Sequence, residues 1–191
     1  MMTDELKTQI RQARDILRAG GIILYPTDTI WGIGCDATNE DAVRRIYALK
    51  RRDDSKSMLV LLDDPGKIAS YADVPDIALD LIDVADKPTT IIYPNARRLA
   101  PSLIADDGTI GIRITHETFT SALLHSLNRP LVSTSANLSG TPSPRHYGEI
   151  APEIRDAVDY IVDYRRDDRT PASPSAIIKL GMGGEIQIIR H

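Results

Sequence analysis

The stretch IILYPTDTIWGIG, residues 22–34, begins with four apolar residues without polar alternation. Such a run is typical of a short strand buried on both faces. We therefore predict a strand over 22–25, which ends at Pro26 because proline has no N–H to donate to a neighbouring strand. The two threonines and the aspartate at 27–29 follow in a loop. Polar side chains at the end of a buried strand lie where open α/β sheets bind ligands.

Helices and strands mostly alternate on both sides of this stretch. Residues 4–19 carry apolar side chains at helical spacing behind Thr3, a favourable N-cap. Further helices are predicted after Asn39, over 77–85 and over 119–127, and further strands over 58–62, 89–93, 109–114, 131–133, 160–162, 176–180 and 185–190. Only residues 181–184 separate the last two strands, which predicts an antiparallel hairpin. The pattern indicates an α/β domain with a mixed sheet.

Composition limits the class of protein. The 191 residues predict a single domain over 1–191. Apolar residues make up 42% and the net charge is −4, values that argue against a long disordered chain and against a surface coated with basic charge for nucleic acid. One cysteine is too few for a disulfide-stapled secreted module and fits a reducing cytoplasm. We expect no membrane segment and no signal peptide, because no apolar stretch approaches the roughly 20 residues that a membrane helix needs.

Basic and hydroxyl side chains cluster beside three other predicted strands. Lys50, Arg52 and Lys56 precede the strand over 58–62, where an anionic ligand explains them better than the helix dipole alone. Serines are dense over 133–143, directly after a short buried strand.

The four histidines lack metal-ligand spacing, so we predict no metal site made by the protein itself.

Arg113 lies inside the predicted strand over 109–114, on the same face as Gly111. A buried arginine is costly unless it is paired. Its partner is either a carboxylate of the protein or a carboxylate of a ligand, and the residues alone leave both alternatives open.

The motifs occur together and in a fixed order: PTDTIWGIG over 26–34, Lys50-x-Arg52, Thr109-x-Gly111-x-Arg113, SANLSG over 135–140, then Pro174-Ser175 and Arg190. On these motifs the chain resembles the YrdC-type (TsaC group) threonylcarbamoyl-AMP synthases, in their short bacterial form and over nearly its whole length. The resemblance implies an open, strongly twisted mixed sheet with flanking helices around a positively charged cavity. It also implies a nucleotidyltransferase that forms threonylcarbamoyl-adenylate and pyrophosphate from L-threonine, bicarbonate and ATP.

The resemblance implies a role for each matching residue. Lys50 and Arg52 would be catalytic. The ATP site would comprise Lys50, Arg52, Lys56, Thr109, Ser135, Asn137, Ser143 and Arg190, and the threonine site Thr27, Thr29, Arg113, Ser133 and Ser175. Mg²⁺ would bind with ATP, through the phosphates. The sequence departs from the family pattern at Lys87, where a glycine is usual, at Leu61, where some members have histidine, and at Ala176, where threonine is frequent.

The implied partners are a threonylcarbamoyl transferase complex and tRNA or double-stranded RNA. The alternative function is a non-catalytic RNA-binding module that uses the same basic cavity. One Phe and one Trp leave few platforms for stacking bases, which argues against that alternative.

Overall fold

A computed structural model describes residues 2–51 and 57–191. Its helices are α1 (Asp4–Arg18), α2 (Glu40–Lys50), α3 (Ile77–Val84), α4 (Thr118–Leu127) and α5 (Pro152–Ala157). Its strands are β1 (Ile23–Tyr25), β2 (Gly32–Gly34), β3 (Leu59–Leu62), β4 (Thr89–Tyr93), β5 (Ile110–Ile114), β6 (Leu131–Ser135), β7 (Tyr160–Ile161), β8 (Ala176–Leu180) and β9 (Ile186–Arg190). Short 3-10 turns span Pro65–Ser70, Pro101–Leu103 and Tyr147–Glu149.

The strands form one open mixed sheet in the order β7-β1-β2-β6-β3-β5-β4-β8-β9. β3 and β5 are parallel, as are β4 and β8, whereas β8 and β9 form the predicted antiparallel hairpin. The prediction of an α/β fold with a twisted mixed sheet and flanking helices is confirmed.

Helices cover both faces of the sheet. On one face, α1 and α4 pack through Leu6, Ile10 and Leu123 against the side chains of β1 and Leu61 of β3. On the other face, α2 and α5 pack against side chains of β2, β3 and β6. The lone cysteine, Cys35, is fully buried in this second cluster, and burial raises the pKa of its thiol.

The helix boundaries follow from local chemistry. Thr3 Oγ1 accepts the Leu6 N–H at 3.2 Å, and Asn39 Oδ1 accepts the Ala42 N–H at 3.1 Å, so both predicted N-terminal boundaries are confirmed. α2 ends after Lys50, where Arg51 has a left-handed backbone with φ of 50°. The chain therefore turns away from the helix axis at the residue before Arg52.

Two elements differ from the predictions. The sequence pattern predicts no strand between residue 25 and the helix after Asn39, but β2 occupies residues 32–34 and pairs with both β1 and β6. This strand has two glycines, and a side chain at Gly34 would lie 2.5 Å from the Val132 carbonyl oxygen. β6 also continues to Ser135, two residues beyond its predicted end, because its last residues pair with β2.

Candidate functional site

A cavity of about 270 Å³ opens on the sheet face that α1 and α4 leave uncovered. Leu61 packs beneath these helices, whereas Leu59, two residues earlier on the same face of β3, lines the cavity. The described lining residues are Thr29, Ile30, Trp31, Gly32, Ser57, Met58, Leu59, Thr90, Ile92, Thr109, Gly111, Arg113, Ser133, Thr134, Ser135, Ser143, Pro174, Ser175, Ile177 and Arg190. The charged side chains among them are Arg113 and Arg190, both cationic.

Arg113 on β5 is the buried cation of this cavity. Its side chain is 3% exposed, and Nη2 lies 3.0 Å from Asp28 Oδ1. The same Nη2 donates a hydrogen bond to Thr29 Oγ1 at 3.3 Å. Of the two partners that the sequence left open, the structure therefore shows a carboxylate of the protein. Among the described residues, Arg113 Nε has no hydrogen-bond partner, although it is buried.

The loop between β1 and β2 separates the two predicted threonines. Thr29 lines the cavity. Thr27 is 1% exposed and is absent from the described cavity lining. Its Oγ1 donates to the Ile30 carbonyl at 2.8 Å and accepts the Thr29 N–H at 3.0 Å. Thr27 thus shapes the loop that presents Thr29.

The end of β6 brings serines to the cavity. Ser133 and Ser135 point to the same face, as strand alternation predicts, and both line the cavity together with Ser143. Asn137 does not line it among the described residues: its Nδ2 donates to the Leu138 and Thr141 carbonyls at 3.1 and 2.5 Å. The amide therefore closes the turn that follows β6.

Lys50, the last residue of α2, contacts this same turn. The side chain is 1% exposed, and its ammonium donates to the Ser135 carbonyl, to the Asn137 carbonyl at 2.7 Å and to Asn137 Oδ1 at 3.3 Å. In return, the Ser139 N–H donates to the Lys50 carbonyl at 2.8 Å. The structure thus places Lys50 behind the cavity wall. Arg52 and Lys56 lie outside the described residues.

The opposite wall consists of β8, β9 and the loop before β5. Arg190 Nε donates to the Ser175 carbonyl at 2.8 Å, which holds the guanidinium at the cavity. Burial, and then the positive charge of Arg113, lower the pKa of Arg190. Thr109 also lines the cavity, and its Oγ1 donates to Asp107 Oδ1 at 2.7 Å.

Several lining residues were not predicted. Thr90 is one of them, and its hydroxyl lies 2.8 Å from that of Ser175. Ile92 lies opposite Gly111 across the β4–β5 pair and adds apolar surface. Alternation along 89–93 could have placed Thr90 and Ile92 on one face, but only the strand order shows that this face borders the cavity.

In the described part of the chain, no cluster of three or more His, Cys, Asp or Glu side chains is arranged to hold a metal ion. The described cavity lining offers hydroxyls, carbonyls and arginines but no carboxylate. Of the helices within 2–51 and 57–191, none is long and apolar enough to cross a membrane.

Comparisons with known proteins point to one family. The family model for the Sua5, YciO and YrdC proteins, described as "Telomere recombination", matches residues 15–191. A threonylcarbamoyl-AMP synthase of Pseudoalteromonas translucida is 31% identical over 97% of this chain and 98% of its own. One of Pseudomonas aeruginosa is 35% identical over 93% of this chain and 94% of its own.

Solved structures with the same fold include two relatives of at least 25% identity. E. coli YciO superimposes with a TM-score of 0.83 at 26% identity, over 97% of this chain and 89% of that one. P. abyssi Sua5 complexed with L-threonine superimposes with a TM-score of 0.82 at 25% identity, over 94% of this chain. This chain spans 52% of that Sua5 chain, so it matches about half of the longer protein.

Proposed function

The chain belongs to the Sua5/YciO/YrdC family, and on that basis we propose that it is a threonylcarbamoyl-AMP synthase. It is an enzyme that acts on ATP, and the finer assignment is a nucleotidyltransferase that joins L-threonine, bicarbonate and ATP. The observation that carries the proposal is Arg113: a buried guanidinium with an unpartnered Nε lines a cavity rich in hydroxyls. A carboxylate is the group that satisfies such a donor best.

We place threonine at the Arg113 side of the cavity. The substrate carboxylate would take Nε and Nη2 of Arg113, and Thr29 would contact the same molecule because its hydroxyl already lies 3.3 Å from Nη2. Ser133 and Ser175 supply further hydroxyls from neighbouring strands. Thr27 supports this site by holding the loop around Thr29.

We place ATP along the wall that carries Ser135, Ser143, Thr109 and Arg190. In the reaction, the threonine nitrogen attacks the carbon of bicarbonate, and loss of water gives a carbamate. A carbamate oxygen then attacks the α-phosphorus, the bond between the α- and β-phosphates breaks, and pyrophosphate leaves. The carbamate, the triphosphate and the threonine carboxylate are all anionic, so cations that align them and stabilise the leaving group supply most of the catalysis.

We propose different roles for Lys50 and for the pair Arg52 and Lys56. Lys50 supports the site by fixing the carbonyls of Ser135 and Asn137. Arg52 and Lys56 follow α2 in the sequence, and we expect them to contact the ATP phosphates. The sequence motif supports these two assignments.

We propose that magnesium enters the site with ATP, as part of the substrate. Mg²⁺ usually keeps several waters and binds through substrate phosphates and few carboxylates. The described lining, which has hydroxyls and no carboxylate, suits that arrangement.

The product is a reactive mixed anhydride, so a transferase complex that modifies tRNA is its proposed recipient. ATP, threonine and tRNA meet in the cytoplasm, which is the proposed location.

A pyrophosphate-release assay tests the function. Purified protein with Mg·ATP, bicarbonate and L-threonine should release pyrophosphate only when all three substrates are present. Arg113→Ala should abolish most of this release. Arg11→Ala, the same substitution on the exposed face of α1, should leave it unchanged, because the Arg11 side chain is exposed and, among the described residues, bonds Thr8 alone. A folded wild-type protein without threonine-dependent release would refute the proposed function.

A further inference from the structure

Asp28, the residue that pairs with Arg113 within the protein, lines a different cavity. Arg113 lines the main cavity, whereas Asp28 lines a second cavity of about 370 Å³ on the opposite face of β5, together with Ile112 and Ile114. The Asp28 carboxylate meets the guanidinium at the wall between the two, with Oδ1 3.0 Å from Nη2. A guanidinium that is 3% exposed needs a compensating negative charge, and without a substrate Asp28 supplies it.

This internal ion pair is incomplete. A well-matched arginine and carboxylate form two parallel N–H···O bonds. Here, among the described residues, both Asp28 Oδ1 and Arg113 Nε are buried without a hydrogen-bond partner. The contact is therefore ionic without good alignment. A carboxylate that approached Nε and Nη2 from the main cavity would gain the bonds that Asp28 does not make.

The second cavity has room for the Asp28 carboxylate when it moves away from Arg113. Its side chain is 17% exposed, so it already reaches solvent on that side. The charged and titratable residues that line this cavity with it are Asp86, Lys87, His116 and Glu117. Lys87 is exposed, and no carboxylate of the described residues lies within 4 Å of its ammonium. Lys87 lines the same cavity as Asp28, and we expect its ammonium to offer the displaced carboxylate a positive charge.

We propose that Asp28 is a displaceable counter-ion that competes with the substrate carboxylate for Arg113. The inference rests on the proposed function, because it takes threonine as the ligand at Arg113. Asp28 compensates the charge of Arg113 in the empty site, and only a ligand with its own carboxylate can release it. Asp28 is thus a specificity-determining residue: it lowers the affinity for threonine and penalises ligands that lack a carboxylate.

Asp28→Asn tests this directly, since the amide keeps the shape and removes the charge. Titration calorimetry should show L-threonine binding to the variant about fivefold to tenfold more tightly than to the wild type, because the competing negative charge is gone. L-threoninamide, which has no carboxylate, should show no such gain. A residue that merely supported the fold would not produce a gain confined to the carboxylate ligand.

Asp36→Asn is the matched control. Asp36 is another buried carboxylate paired with an arginine, at 2.6 Å from Arg129, and it lies outside both cavities in the described lining. Its loss should lower the melting temperature and leave threonine affinity within about twofold of the wild type. Unchanged or weaker threonine binding by Asp28→Asn, in a protein whose wild type releases threonine-dependent pyrophosphate, would overturn the inference alone. A wild type that neither binds threonine nor releases pyrophosphate would overturn the proposed function as well.

A crystal structure of the wild type with L-threonine decides the matter even if Asp28→Asn does not fold. The threonine carboxylate should occupy Nε and Nη2 of Arg113, and the Asp28 carboxylate should lie more than about 4 Å from Nη2. An Asp28 contact that persists at 3.0 Å beside bound threonine would show that the carboxylate is not displaced.

Discussion

Replacing Lys50 with methionine distinguishes two possible roles of this lysine. It either contacts the ATP phosphates directly or supports the cavity wall at the end of β6, and the sequence motif alone does not decide between them. The Lys50 ammonium has three N–H donors, and the described residues place three acceptors around it: the carbonyls of Ser135 and Asn137 and the amide oxygen of Asn137. Ser135 lines the cavity, so the ammonium holds one wall in place from behind. If support of the wall is the main role of Lys50, the substitution lowers the stability of the protein as well as its activity.

The expected cost follows from these contacts. Methionine fills a similar volume but removes three charge-assisted hydrogen bonds; the Asn137 carbonyl loses its donor, whereas the Ser135 carbonyl keeps the Asn137 N–H at 2.9 Å. Each buried acceptor that loses its partner costs about 1–3 kcal/mol. Release from the cost of burying the ammonium offsets part of this loss. We therefore expect Lys50→Met to lower the free energy of unfolding by about 2–5 kcal/mol. For a chain of this size the melting temperature should fall by about 5–15 °C.

Urea unfolding followed by circular dichroism measures the free energy, and the pyrophosphate assay run in parallel measures activity. Lys67→Met provides the control, because Lys67 forms a partly exposed ion pair with Asp63 at 2.7 Å. Its loss should cost less than about 1 kcal/mol. The opposite outcome is that Lys50→Met abolishes activity yet changes the unfolding free energy by no more than the control variant does. That result would refute the role of Lys50 in supporting the cavity wall and would favour direct contact with the phosphates.

Three further predictions concern other parts of the molecule. Arg113→Ala should weaken threonine binding in calorimetry by about 2–5 kcal/mol, because it removes one side of a buried ion pair. Gly34→Ala should lower the unfolding free energy by about 3 kcal/mol in urea titrations, since its Cβ would lie 2.5 Å from the Val132 carbonyl oxygen. The hydrogen bond from Lys179 lowers the pKa of Asp107 to about 2 from its ordinary 3.8, so Asp107 stabilises the fold above about pH 4 and this contribution is lost as the pH falls towards 2. Asp107→Asn should therefore lower the free energy of unfolding at pH 7 by less than about 1 kcal/mol for this half-exposed pair, and urea titrations should show that the difference disappears near pH 2.

Periodicity predicted most of the fold because most elements bury one regular face. α1, α2 and α4 begin within a residue or two of their expected positions, and β4 and β8 match the predicted ranges. β2 was missed because Gly32-Ile33-Gly34 has little strand preference of its own. Its pairing with β1 and β6 forms it, and pairing partners distant in sequence are not visible in a local pattern.

The candidate site was predicted in part. The motifs predict residues that the structure brings together in one cavity. These residues are Thr29, Thr109, Arg113, Ser133, Ser135, Ser143, Ser175 and Arg190. The contacts within the site required the structure. Whether Arg113 pairs with protein or ligand depends on where Asp28 lies, and that position follows from how the 27–29 loop packs against β5. The same holds for Lys50, whose neighbours come from residues more than 80 positions later in the chain.

The position of the charges explains how a chain with a net charge of −4 can bind polyanionic ATP. Screening limits the reach of the overall negative charge to about 8 Å at physiological ionic strength. Inside the cavity, Arg113 and Arg190 act at much shorter range, and their mutual repulsion contributes to the lowered pKa of Arg190. In the proposed arrangement the threonine carboxylate pairs with Arg113 and ATP lies beside Arg190, so the two substrates together compensate both guanidinium groups. Small anions that enter the cavity therefore meet local positive charge, whereas a nucleic acid lying across the surface meets a net acidic protein.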